Sequence, residues 1–359
     1  MINACDVIFY VAYPYYFPHF LPIGRELTRR GRTVHYVLSD EQNTTLMQRI
    51  AEENDIQYTF GTEHLWSIDA DFIFFANSFE RARELNATTV FLEHGIGTKS
   101  TSFFHSITYF DIYLVEGDYK YNRLRELYPQ FEAKLKKVGY SKFDDIANAS
   151  PKARASLMKK YGLAQDKPTI LYAPTFFPSS IEKMSDAFPA DFSECNVLIK
   201  AHYLSYERSR YKAQRQKLAR WGQYANCTVV GVEEYSLLPF MMVADVMISD
   251  ESSAMFEFAA LNKPVISNQY FKLRWSYYLM PWKLRQRIDT HKDAYRSVLA
   301  TAHSYTETLA LTKDALAHPE DQPDKSTFIR DVVGVVDGQV SARIADVLAT
   351  YNSEALLCH

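Results

Sequence analysis

Residues 243–267 (VADVMISDESSAMFEFAALNKPVIS) constrain the possible folds more than any other stretch of the chain. An apolar strand is predicted over residues 246–248, followed by a turn of small polar and acidic residues. A helix is predicted next, with apolar residues at helical spacing: Met255, Phe258, Ala259 and Leu261. Pro264 ends this helix, and a second apolar strand follows at once over residues 265–266. This order of elements predicts a parallel α/β fold.

The start of this helix collects groups that bind anions. Asp250, Ser252 and Ser253 precede or begin it. The first-turn backbone amides lack helical partners and the helix dipole is positive there, so a phosphate site is one interpretation. The other is that Asp250 or Ser252 only caps the helix, as these residue types commonly do. This stretch alone leaves both interpretations open.

The whole sequence predicts two domains, because 359 residues are more than one small domain needs. We predict a first domain over residues 1–148, a helical linker over 149–167, a second domain over 168–324, and a C-terminal helical segment over 325–359 that could cross back to the first domain. The predicted fold class is α/β, with two Rossmann-like, doubly wound parallel sheets facing each other across a cleft.

The predicted elements alternate through both domains. In the first, strands are predicted over residues 6–11, 34–38, 72–75, 88–92 and 112–115, helices over 23–30, 44–53 and 119–128, and an aromatic loop over 13–22. In the second, strands are predicted over 168–173, 196–199 and 228–230, helices over 208–224 and 235–243, and a last helix over 341–350. Parallel sheets bind ligands at the carboxyl ends of their strands, so the residues just past each strand are candidates for a site.

Charge, cysteines and hydropathy exclude several classes of protein. The formal net charge is −3, so no overall basic field favours nucleic acid. The four cysteines are scattered without paired spacing, which predicts no zinc site and no disulfide framework and fits a reducing cytosol. The N-terminus lacks a signal-peptide pattern, and no apolar run approaches ~18 residues. We expect a cytoplasmic protein, soluble or peripheral on the inner face of the cytoplasmic membrane.

A histidine follows the strand predicted at residues 88–92. Glu93, His94 and Gly95 come directly after it, and Lys99 lies further along the same loop. Imidazole takes up a proton near neutral pH, and glycine leaves the backbone bare for an approaching ligand, so this segment is a candidate for acid–base chemistry. The alternative is a buried histidine bonded to a neighbouring carbonyl, with glycine serving only the turn.

The second predicted domain repeats this placement. Thr175 follows the strand at residues 168–173, and His202 follows the strand at residues 196–199. Each domain therefore has a histidine just past a strand, and two facing sheets would place the two histidines across one cleft.

Two further stretches give weaker signals. Asp69-Ala70-Asp71 has the pattern of a metal-binding DxD motif, but it precedes a strand instead of following one, so we predict no metal. Residues 270–287 mix five basic residues with aromatic ones, which suits a membrane interface or a polyanionic acceptor. A partly buried helix with a basic rim is an equal alternative.

Five segments in order resemble the CDP-glycerol glycerophosphotransferase family, the teichoic-acid polymerases and primases with a GT-B-like core. The family's His-Gly-x-x-x-Lys is similar to residues 94–99, and its Tyr-Ala-Pro-Thr matches residues 172–175. Its Gly-x-Pro-Arg-x-Asp is similar to residues 139–144, and its Met-His-Pro to residues 201–203. Its Thr-Asp-Tyr-Ser-Ser-x-x-Phe-Asp, continued by Ala-x-x-x-Lys-Pro, is similar to residues 249–264, the most specific of the five matches.

The sequence departs from the family pattern at several positions. Glu93 stands where the family usually has Trp, and Phe177 stands where an Arg is common. Tyr203 replaces the proline after the second histidine, and Glu251 replaces a Tyr before the two serines. These changes bear on the transferred group and the acceptor, since Glu93 would add a carboxylate beside the first histidine.

The resemblance implies transfer of a polyol phosphate, glycerol phosphate before others, from a CDP-activated donor to a hydroxyl of a glycan or lipid-linked acceptor in cell-surface polymer synthesis. It implies no cofactor beyond this donor. One alternative is a GT-B glycosyltransferase that uses a nucleotide sugar in capsule or lipopolysaccharide synthesis, which Glu93 and the missing Arg favour. The other alternative is a non-catalytic nucleotide-binding subunit.

The resemblance also implies roles for the candidate residues. His94 would be the general base toward the acceptor hydroxyl, and His202 would neutralise charge on the transferred phosphate or on leaving CMP. Glu93, Gly95 and Lys99 would lie on the acceptor side or support the base. The helix start would hold the pyrophosphate and Glu257 the ribose, in a nucleotide site made of these residues: Thr175, Asp250, Ser252, Ser253 and Glu257.

Overall fold

The computed structural model describes residues 4–41, 43–96, 101–250, 252–272 and 295–357. The chain divides into two compact units: Met1–Asn148 together with Ile329–His359, and Ala149–Phe328. Each unit contains one sheet, and the described strand pairs are all parallel. The predicted α/β class with two doubly wound parallel sheets is confirmed, and the facing arrangement stays a prediction.

Seven described strands form the first sheet: β1 (Ala4–Val11), β2 (Val34–Leu38), β3 (Tyr58–Phe60), β4 (Asp69–Phe75), β5 (Thr88–Leu92), β6 (Ile112–Val115) and β7 (Leu135–Lys137). Their order is β3-β2-β1-β4-β5-β6-β7. The chain runs outward from β1 to β3 and then returns to the other side of β1, so the order reverses between β1 and β4. Ligands of doubly wound sheets bind outside the carboxyl ends of the strands at such a reversal.

The second sheet repeats this topology with six described strands: β8 (Thr169–Ala173), β9 (Asn196–Ile199), β10 (Cys227–Val229), β11 (Val246–Ser249), β12 (Val265–Asn268) and β13 (Ala300–Ala302). Their order is β10-β9-β8-β11-β12-β13, and the reversal lies between β8 and β11. The polar turn after β11, which the sequence singled out, therefore lies at the reversal of its own sheet.

The described helices connect these strands. In the first unit they are α1 (Phe17–Arg29), α2 (Thr44–Glu53), α3 (His64–Ser67), α4 (Asp118–Leu127) and α5 (Asp144–Ala147). In the second unit they are α6 (Pro151–Lys160), α7 (Tyr203–Glu207), α8 (Lys212–Trp221), α9 (Leu238–Val243), α10 (Ser253–Ala260) and α11 (Tyr305–Ala317). The unit boundary falls within α12 (Ser326–Val332), and α13 (Val340–Leu357) belongs to the first unit. Short 3-10 helices also occur, among them Pro14–Tyr16, Ser141–Phe143 and Ser209–Tyr211.

The burial of the strands explains why apolar runs in the sequence predicted them well. Every residue of β6, β8, β9 and β11 is buried. Strands of a parallel sheet covered on both faces have continuous apolar runs, because both sets of alternating side chains need a dry environment. The predicted strands at residues 34–38, 88–92, 112–115 and 196–199 and the predicted helix at residues 44–53 coincide with the observed elements.

The predicted aromatic loop at residues 13–22 is wrong, because α1 begins at Phe17. Pro18 lies in its first turn, where a missing N–H costs little, and Pro22 lies inside the helix. The helix tolerates Pro22 because it buries Phe17, Phe20 and Ile23 completely. Burial of each such side chain contributes about 1.5–3 kcal/mol, which offsets the lost hydrogen bond.

Other boundaries also differ from the predictions. The three-residue strands β3 and β7 were not predicted, since they are too short to show alternation and β7 is Leu-Lys-Lys. The basic helix predicted over residues 208–224 is shorter in the structure, where the 3-10 helix Ser209–Tyr211 leads into α8. Residues 149–167, predicted as a linker, lie in the second unit and contain α6.

The first unit is closed by the residues of the family's Gly-x-Pro-Arg-x-Asp segment. Gly139 has φ 101°, and a Cβ there would lie 2.9 Å from a side-chain carbon of Val340, so the turn requires glycine. The Asp144 carboxylate accepts hydrogen bonds from the backbone N–H groups of Val340 and Ser341, at 3.0 and 2.7 Å. These are the first residues of α13, so Asp144 satisfies the start of the last helix.

Candidate active site

His94 lies at the carboxyl edge of the first sheet, two residues past β5. Its Nδ1 lies 2.6 Å from the backbone oxygen of Ala76, which directly follows the neighbouring strand β4. A carbonyl oxygen can only accept a hydrogen bond, so Nδ1 carries a proton and the neutral ring has its lone pair on Nε2. This is the carbonyl bond that the non-catalytic alternative predicts, and it is equally compatible with a general base, so the role of His94 stays a prediction.

Two tyrosines that follow β1 pack against the His94 ring. The centroid of the Tyr15 ring lies 5.3 Å from that of His94, and the centroid of Tyr16 lies 5.1 Å from it. Tyr16 is buried, and burial raises the pKa of its phenol, so it stays protonated. The carboxyl ends of β1, β4 and β5 thus supply the surroundings of His94 at the reversal of the strand order.

A second histidine lies near the His94 backbone in the first unit and was not predicted. His19 of α1 is buried, and the backbone of His94 is among the groups that act on its pKa. Burial, followed by the nearby charge of Lys142, holds the pKa of His19 well below its usual range, so the ring is neutral. The backbone oxygen of His19 in turn accepts a 3.0 Å hydrogen bond from Ser141 Oγ. Periodicity could have placed His19 on a buried helix face, but its partner lies 75 positions away along the chain.

Glu93, predicted on the acceptor side or as a support of the base, belongs to a buried cluster of charges. Its carboxylate accepts a short hydrogen bond from Lys120 Nζ, and Lys120 also contacts Glu116 at 3.1 Å. All three side chains are buried. Burial alone would lower the pKa of Lys120, but the charges of Glu116 and Glu93 raise it, so the ammonium persists. Burial raises the pKa of Glu116 to about 7. Glu93 is thus tied into a buried charge cluster, which removes it as a substitute base.

Gly95 lies next to His94, where added bulk would meet open space. A Cβ built on Gly95 has no heavy atom within 4 Å, so neither crowding nor a positive φ requires glycine there. The prediction that Gly95 leaves room on the acceptor side stays consistent with this geometry. Lys99, the other predicted acceptor-side residue, lies outside the described residues.

His202 lies at the carboxyl edge of the second sheet, where it begins α7. Its Nδ1 accepts a 3.2 Å hydrogen bond from the backbone N–H of Leu204. The neutral ring therefore carries its proton on Nε2. Burial lowers the pKa of His202 to about 4, with the charges of Lys200 and Arg208 adding to the effect. His202 is neutral near pH 7 and offers an N–H donor, which replaces the predicted neutralising positive charge.

Two aromatic rings pack against His202, one of them at a position where the sequence departs from the family pattern. The rings of Phe176 and Tyr203 both have centroids 4.8 Å from that of His202. Tyr203, which replaces the family's proline, stacks on the histidine at 28°. The substitution at residue 203 thus adds an aromatic ring beside the second histidine, which contributes to its desolvation.

The predicted anion site has the expected backbone geometry. Ser252 is the N-cap of α10, and its side chain accepts a 3.2 Å hydrogen bond from the N–H of Ala254. Ser253 begins the helix, and Glu257 lies one turn further and is buried. The capping interpretation of Ser252 is therefore confirmed, and the phosphate site stays a prediction that remains compatible with it, because an N-cap leaves other first-turn amides at the positive helix end.

Asp250 lies two residues before Ser252, the N-cap of α10. It is fully buried, and its carboxylate accepts hydrogen bonds from Ser179 Oγ at 3.2 Å, from the Ser180 N–H at 3.2 Å and from Ser180 Oγ. Burial raises its pKa to about 7 against these hydrogen bonds. Asp250 was predicted to bind the nucleotide, but its carboxylate holds the loop at residues 179–180 against the turn after β11.

Thr175, His202 and Ser252 belong to one edge of the second sheet. They follow β8, β9 and β11, which are adjacent strands. The backbone N–H of His202 donates a 3.2 Å hydrogen bond to the backbone oxygen of Pro174. Ser249 Oγ donates a 2.7 Å hydrogen bond to the backbone oxygen of Ala173. The fold thus gathers the predicted residues of the second unit at its strand-order reversal, with Thr175 half-buried among them.

The DxD motif lies at the start of β4, whereas His94 lies near the end of that strand, at the carboxyl edge of the sheet. Asp69 and Asp71 begin β4, and Asp71 contacts Arg32 at 3.7 Å. Within the described part of the chain, one group brings three potential metal ligands within 4.8 Å of one another: His318, Glu320 and Asp321. These residues are exposed and follow α11, so none of the candidate site residues belongs to the group.

The aromatic and basic stretch at residues 270–287 lies mostly outside the described residues. The part within them shows Tyr270 Oη 2.8 Å from Thr308 Oγ1. Among the described helices, none has the length and apolarity needed to cross a membrane. The predicted membrane contact of this stretch stays a prediction.

Residues 81–350 match the sequence family described as CDP-Glycerol:Poly(glycerophosphate) glycerophosphotransferase. The chain is 31% identical over 108 residues to a teichoic acid glycerol-phosphate primase of Bacillus subtilis (strain 168), over 30% of this chain and 26% of the relative. It is 32% identical over 120 residues to a primase described identically from Bacillus spizizenii, over 32% of this chain and 28% of the relative. The matched stretches thus span only about a quarter of these relatives.

Two solved structures share the fold. The wall teichoic acid polymerase TagF superposes with a TM-score of 0.68 at 16% identity, over 98% of this chain and 90% of the TagF chain. A UDP-GlcNAc 2-epimerase from Neisseria meningitidis superposes with a TM-score of 0.66 at 12% identity, over 96% of this chain and 100% of that chain. Identities this low show a common fold and nothing about activity.

Proposed function

Because this chain belongs to the CDP-glycerol:poly(glycerophosphate) glycerophosphotransferase family, we propose that it transfers glycerol phosphate from CDP-glycerol to a hydroxyl of a glycan or lipid-linked acceptor in cell-surface polymer synthesis. The observation that carries the proposal is the hydrogen bond between His94 Nδ1 and the Ala76 carbonyl, which leaves the Nε2 lone pair as a proton acceptor. The donor is a substrate, and the proposal includes no cofactor and no metal.

The reaction starts at the acceptor hydroxyl. His94 Nε2 takes its proton as the oxygen attacks the phosphorus that bears glycerol. A new P–O bond forms to the acceptor, the bridging P–O bond of the pyrophosphate breaks, and CMP leaves with the bridging oxygen. The proton on His94 then returns to solvent. Phosphoryl transfer depends mainly on positioning and on charge stabilisation, which the remaining residues supply.

The second unit supplies groups suited to the donor. The start of α10, with Ser252 and Ser253, has backbone amides and a positive dipole end for the pyrophosphate. His202 offers its Nε2 proton to an oxygen of the transferred phosphate or of leaving CMP, where a fixed donor stabilises developing charge. Glu257 is proposed to bond the ribose, and Thr175 to lie near the phosphates.

One of the two features that favour sugar transfer is weakened by the structure. Lys120 binds the Glu93 carboxylate inside a buried cluster, whereas the other feature, Phe177 in place of the family's Arg, is unchanged. We also propose that residues 270–287 contact an anionic membrane surface from the cytoplasmic side, where a lipid-linked acceptor would be presented.

The proposal is tested by the linkage formed. The purified chain, CDP-glycerol and a glycan or lipid-linked acceptor should give CMP and a phosphodiester signal in ³¹P NMR. The same mixture with UDP- or GDP-sugars should give no glycosidic product. A thermal-shift panel of CMP, CDP, UDP, GDP and CDP-glycerol should show the largest rise in melting temperature with cytidine ligands, because a ligand that binds only the native state stabilises it. Glycosidic product without phosphodiester would overturn the proposal.

The donor site is tested separately by substitution. Ser253→Ala and Glu257→Ala should each weaken CDP binding by about 1–3 kcal/mol, the loss expected when a hydrogen bond to a charged group is removed. Isothermal titration calorimetry measures the change. Equal CDP affinity in both variants and the parent would remove the start of α10 from the site.

A further inference from the structure

The segment after β1 presents two tyrosine rings as a stacked pair. The Tyr13 and Tyr15 rings are nearly parallel, at 9°, with centroids 5.2 Å apart. Tyr15 is 36% exposed, which is unusual for a ring that others contact on several sides, and Tyr13 is half-buried. This stretch lies in the predicted aromatic loop at residues 13–22, and the proposed reaction does not use it.

The fold holds this pair in place from behind. Tyr16 is buried and meets both rings edge-on, at 81° to Tyr13 and at 89° to Tyr15. Pro14 is buried and begins the 3-10 helix Pro14–Tyr16, which fixes the backbone between the two rings. A tyrosine whose two side-chain torsions are already fixed binds a ligand at little cost in conformational entropy.

The pair borders the proposed base. The Tyr15 ring centroid lies 5.3 Å from that of His94, at an angle of 50°. Both residues lie at the strand-order reversal of the first sheet, where the carboxyl ends of β1 and β4 adjoin. A ligand group on the exposed face of Tyr15 would therefore lie beside the ring that takes the proton.

The chemistry of the rings selects the kind of group that can stack there. An aromatic face carries partial negative charge, so it disfavours phosphate and favours C–H bonds, which are weakly positive. A pyranose ring offers a face of C–H bonds with hydroxyls at its rim. One rim hydroxyl could then reach His94 while the face of the sugar rests on tyrosine.

We propose that Tyr13 and Tyr15 form the acceptor-sugar subsite, in which a hexopyranose ring stacks on Tyr15 with a hydroxyl directed at His94. The inference deepens the proposed function and rests on it for the identity of the acceptor side. The proposal states that the acceptor bound by the first unit contains a sugar ring and is not an open-chain polyol alone.

Binding is tested without turnover. Saturation-transfer-difference NMR of the full chain with a panel of methyl hexopyranosides should show transfer to the ring C–H protons of at least one. Tyr15→Ala should abolish that transfer and Tyr15→Phe should keep it. Tyr224→Ala is the matched control, since Tyr224 is 37% exposed in the second unit, and it should behave like the parent. Free glycerol, which has no ring, should receive less transfer than the glycosides.

Kinetics with a glycan acceptor provide the second readout. Tyr15→Ala should raise the KM for the acceptor about tenfold, the change that follows from losing a contact of ~1.4 kcal/mol, and should leave the KM for CDP-glycerol unchanged. Far-UV circular dichroism of each variant checks that the fold persists.

Several outcomes would overturn the subsite. They are no transfer to any glycoside in the parent, equal transfer in Tyr15→Ala, and equal transfer to glycerol. Loss of transfer to the cytosine protons of CDP in Tyr15→Ala would show that the pair binds the donor base instead. The glycoside experiment needs no catalysis, so a failed subsite is distinguishable from a failed glycerophosphotransferase assay.

Discussion

The two histidines at the sheet edges have opposite protonation patterns. His94 Nδ1 faces a carbonyl oxygen, so its lone pair is on Nε2, whereas His202 Nδ1 faces an amide N–H, so its proton is on Nε2. Both follow a strand of a parallel sheet, and both were predicted from that position alone. The backbone group opposite Nδ1 distinguishes them, so one can accept a proton and the other can donate a hydrogen bond.

Their surroundings reinforce this difference. Desolvation and the charges of Lys200 and Arg208 lower the pKa of His202, which keeps it neutral in the physiological range. His94 instead contacts tyrosine rings, and buried His19 lies near its backbone. The groups around each histidine therefore determine which role it can take. Four measurements test the roles proposed for His94 and His202.

The largest expected effect is on the base. His94→Ala should lower kcat by about 10²–10⁴-fold, the usual contribution of a general base, and should leave CDP affinity nearly as in the parent. Steady-state rates and calorimetry on the same protein measure the two quantities. His318→Ala, at an exposed histidine, is the control and should keep the parent rate. A His94→Ala variant with close to parent turnover would place the base elsewhere.

The donor histidine should affect binding as well as rate. His202→Ala should weaken CDP affinity and lower kcat/KM, each by about 1.5–3 kcal/mol, because a hydrogen bond to a charged oxygen is lost. His202→Gln can direct an amide N–H toward the same oxygen and should recover part of both losses. If CDP affinity is unchanged in His202→Ala, His202 does not bind the donor, and the proposed difference in role between His202 and His94 is wrong.

The lowered pKa of His202 should appear in the pH dependence of stability. Its pKa is about 4 in the native state against an ordinary value of 6.5, so between these values the unfolded chain binds a proton that the native chain does not. His202 should therefore make the native state less stable as pH falls, by roughly 2–3 kcal/mol between pH 7 and pH 4.5. Urea unfolding at both pH values should show this difference in the parent and lose it in His202→Gln. Equal pH dependence in both proteins would contradict the desolvated state of this ring.

The smallest expected effect concerns the surroundings of His94. His19→Leu removes a buried polar ring near the His94 backbone and should lower kcat by about tenfold, because small displacements of a catalytic group are costly. His19→Gln keeps a donor and should recover most of the rate. The KM for CDP-glycerol should stay at the parent value in both variants, since the loss concerns the base and not the donor. A fall in melting temperature with kcat unchanged would leave His19 with a structural role only.

The sequence predicted those parts of the site that depend on local order. Both histidines, Thr175 and the start of α10 follow apolar strands, and strand ends of a parallel sheet share one edge, so their placement required no tertiary information. Partners distant in the chain could not be predicted. Ala76 lies 18 residues before His94, and Lys120 lies 27 residues after Glu93. Glu93 therefore looked like a second base, although a distant lysine binds it.

The prediction for the aromatic segment after β1 was wrong for a different reason. Three prolines and several aromatic residues over residues 13–22 indicated a loop, since proline removes helical hydrogen bonds. In the fold, Pro14 begins a 3-10 helix, Pro18 lies in a first turn, and buried rings outweigh the cost of Pro22. Local propensity was overridden by burial, and the segment that surrounds His94 was missed with it.

The bond from Asp144 to the start of α13 has a consequence for synthesis on the ribosome. The first unit is interrupted after Asn148 and resumes at Ile329, and the last helix, which Asp144 caps, begins 196 residues after Asp144. At roughly 5–20 residues per second, that interval is on the order of 10–40 s. During it, the nascent first sheet lacks α13, whose Val340, Ile344 and Leu348 are buried in the finished protein. The emerging chain thus exposes an apolar surface of its first unit while the second unit is still being translated, which makes it a candidate client for chaperones that bind at the ribosome exit.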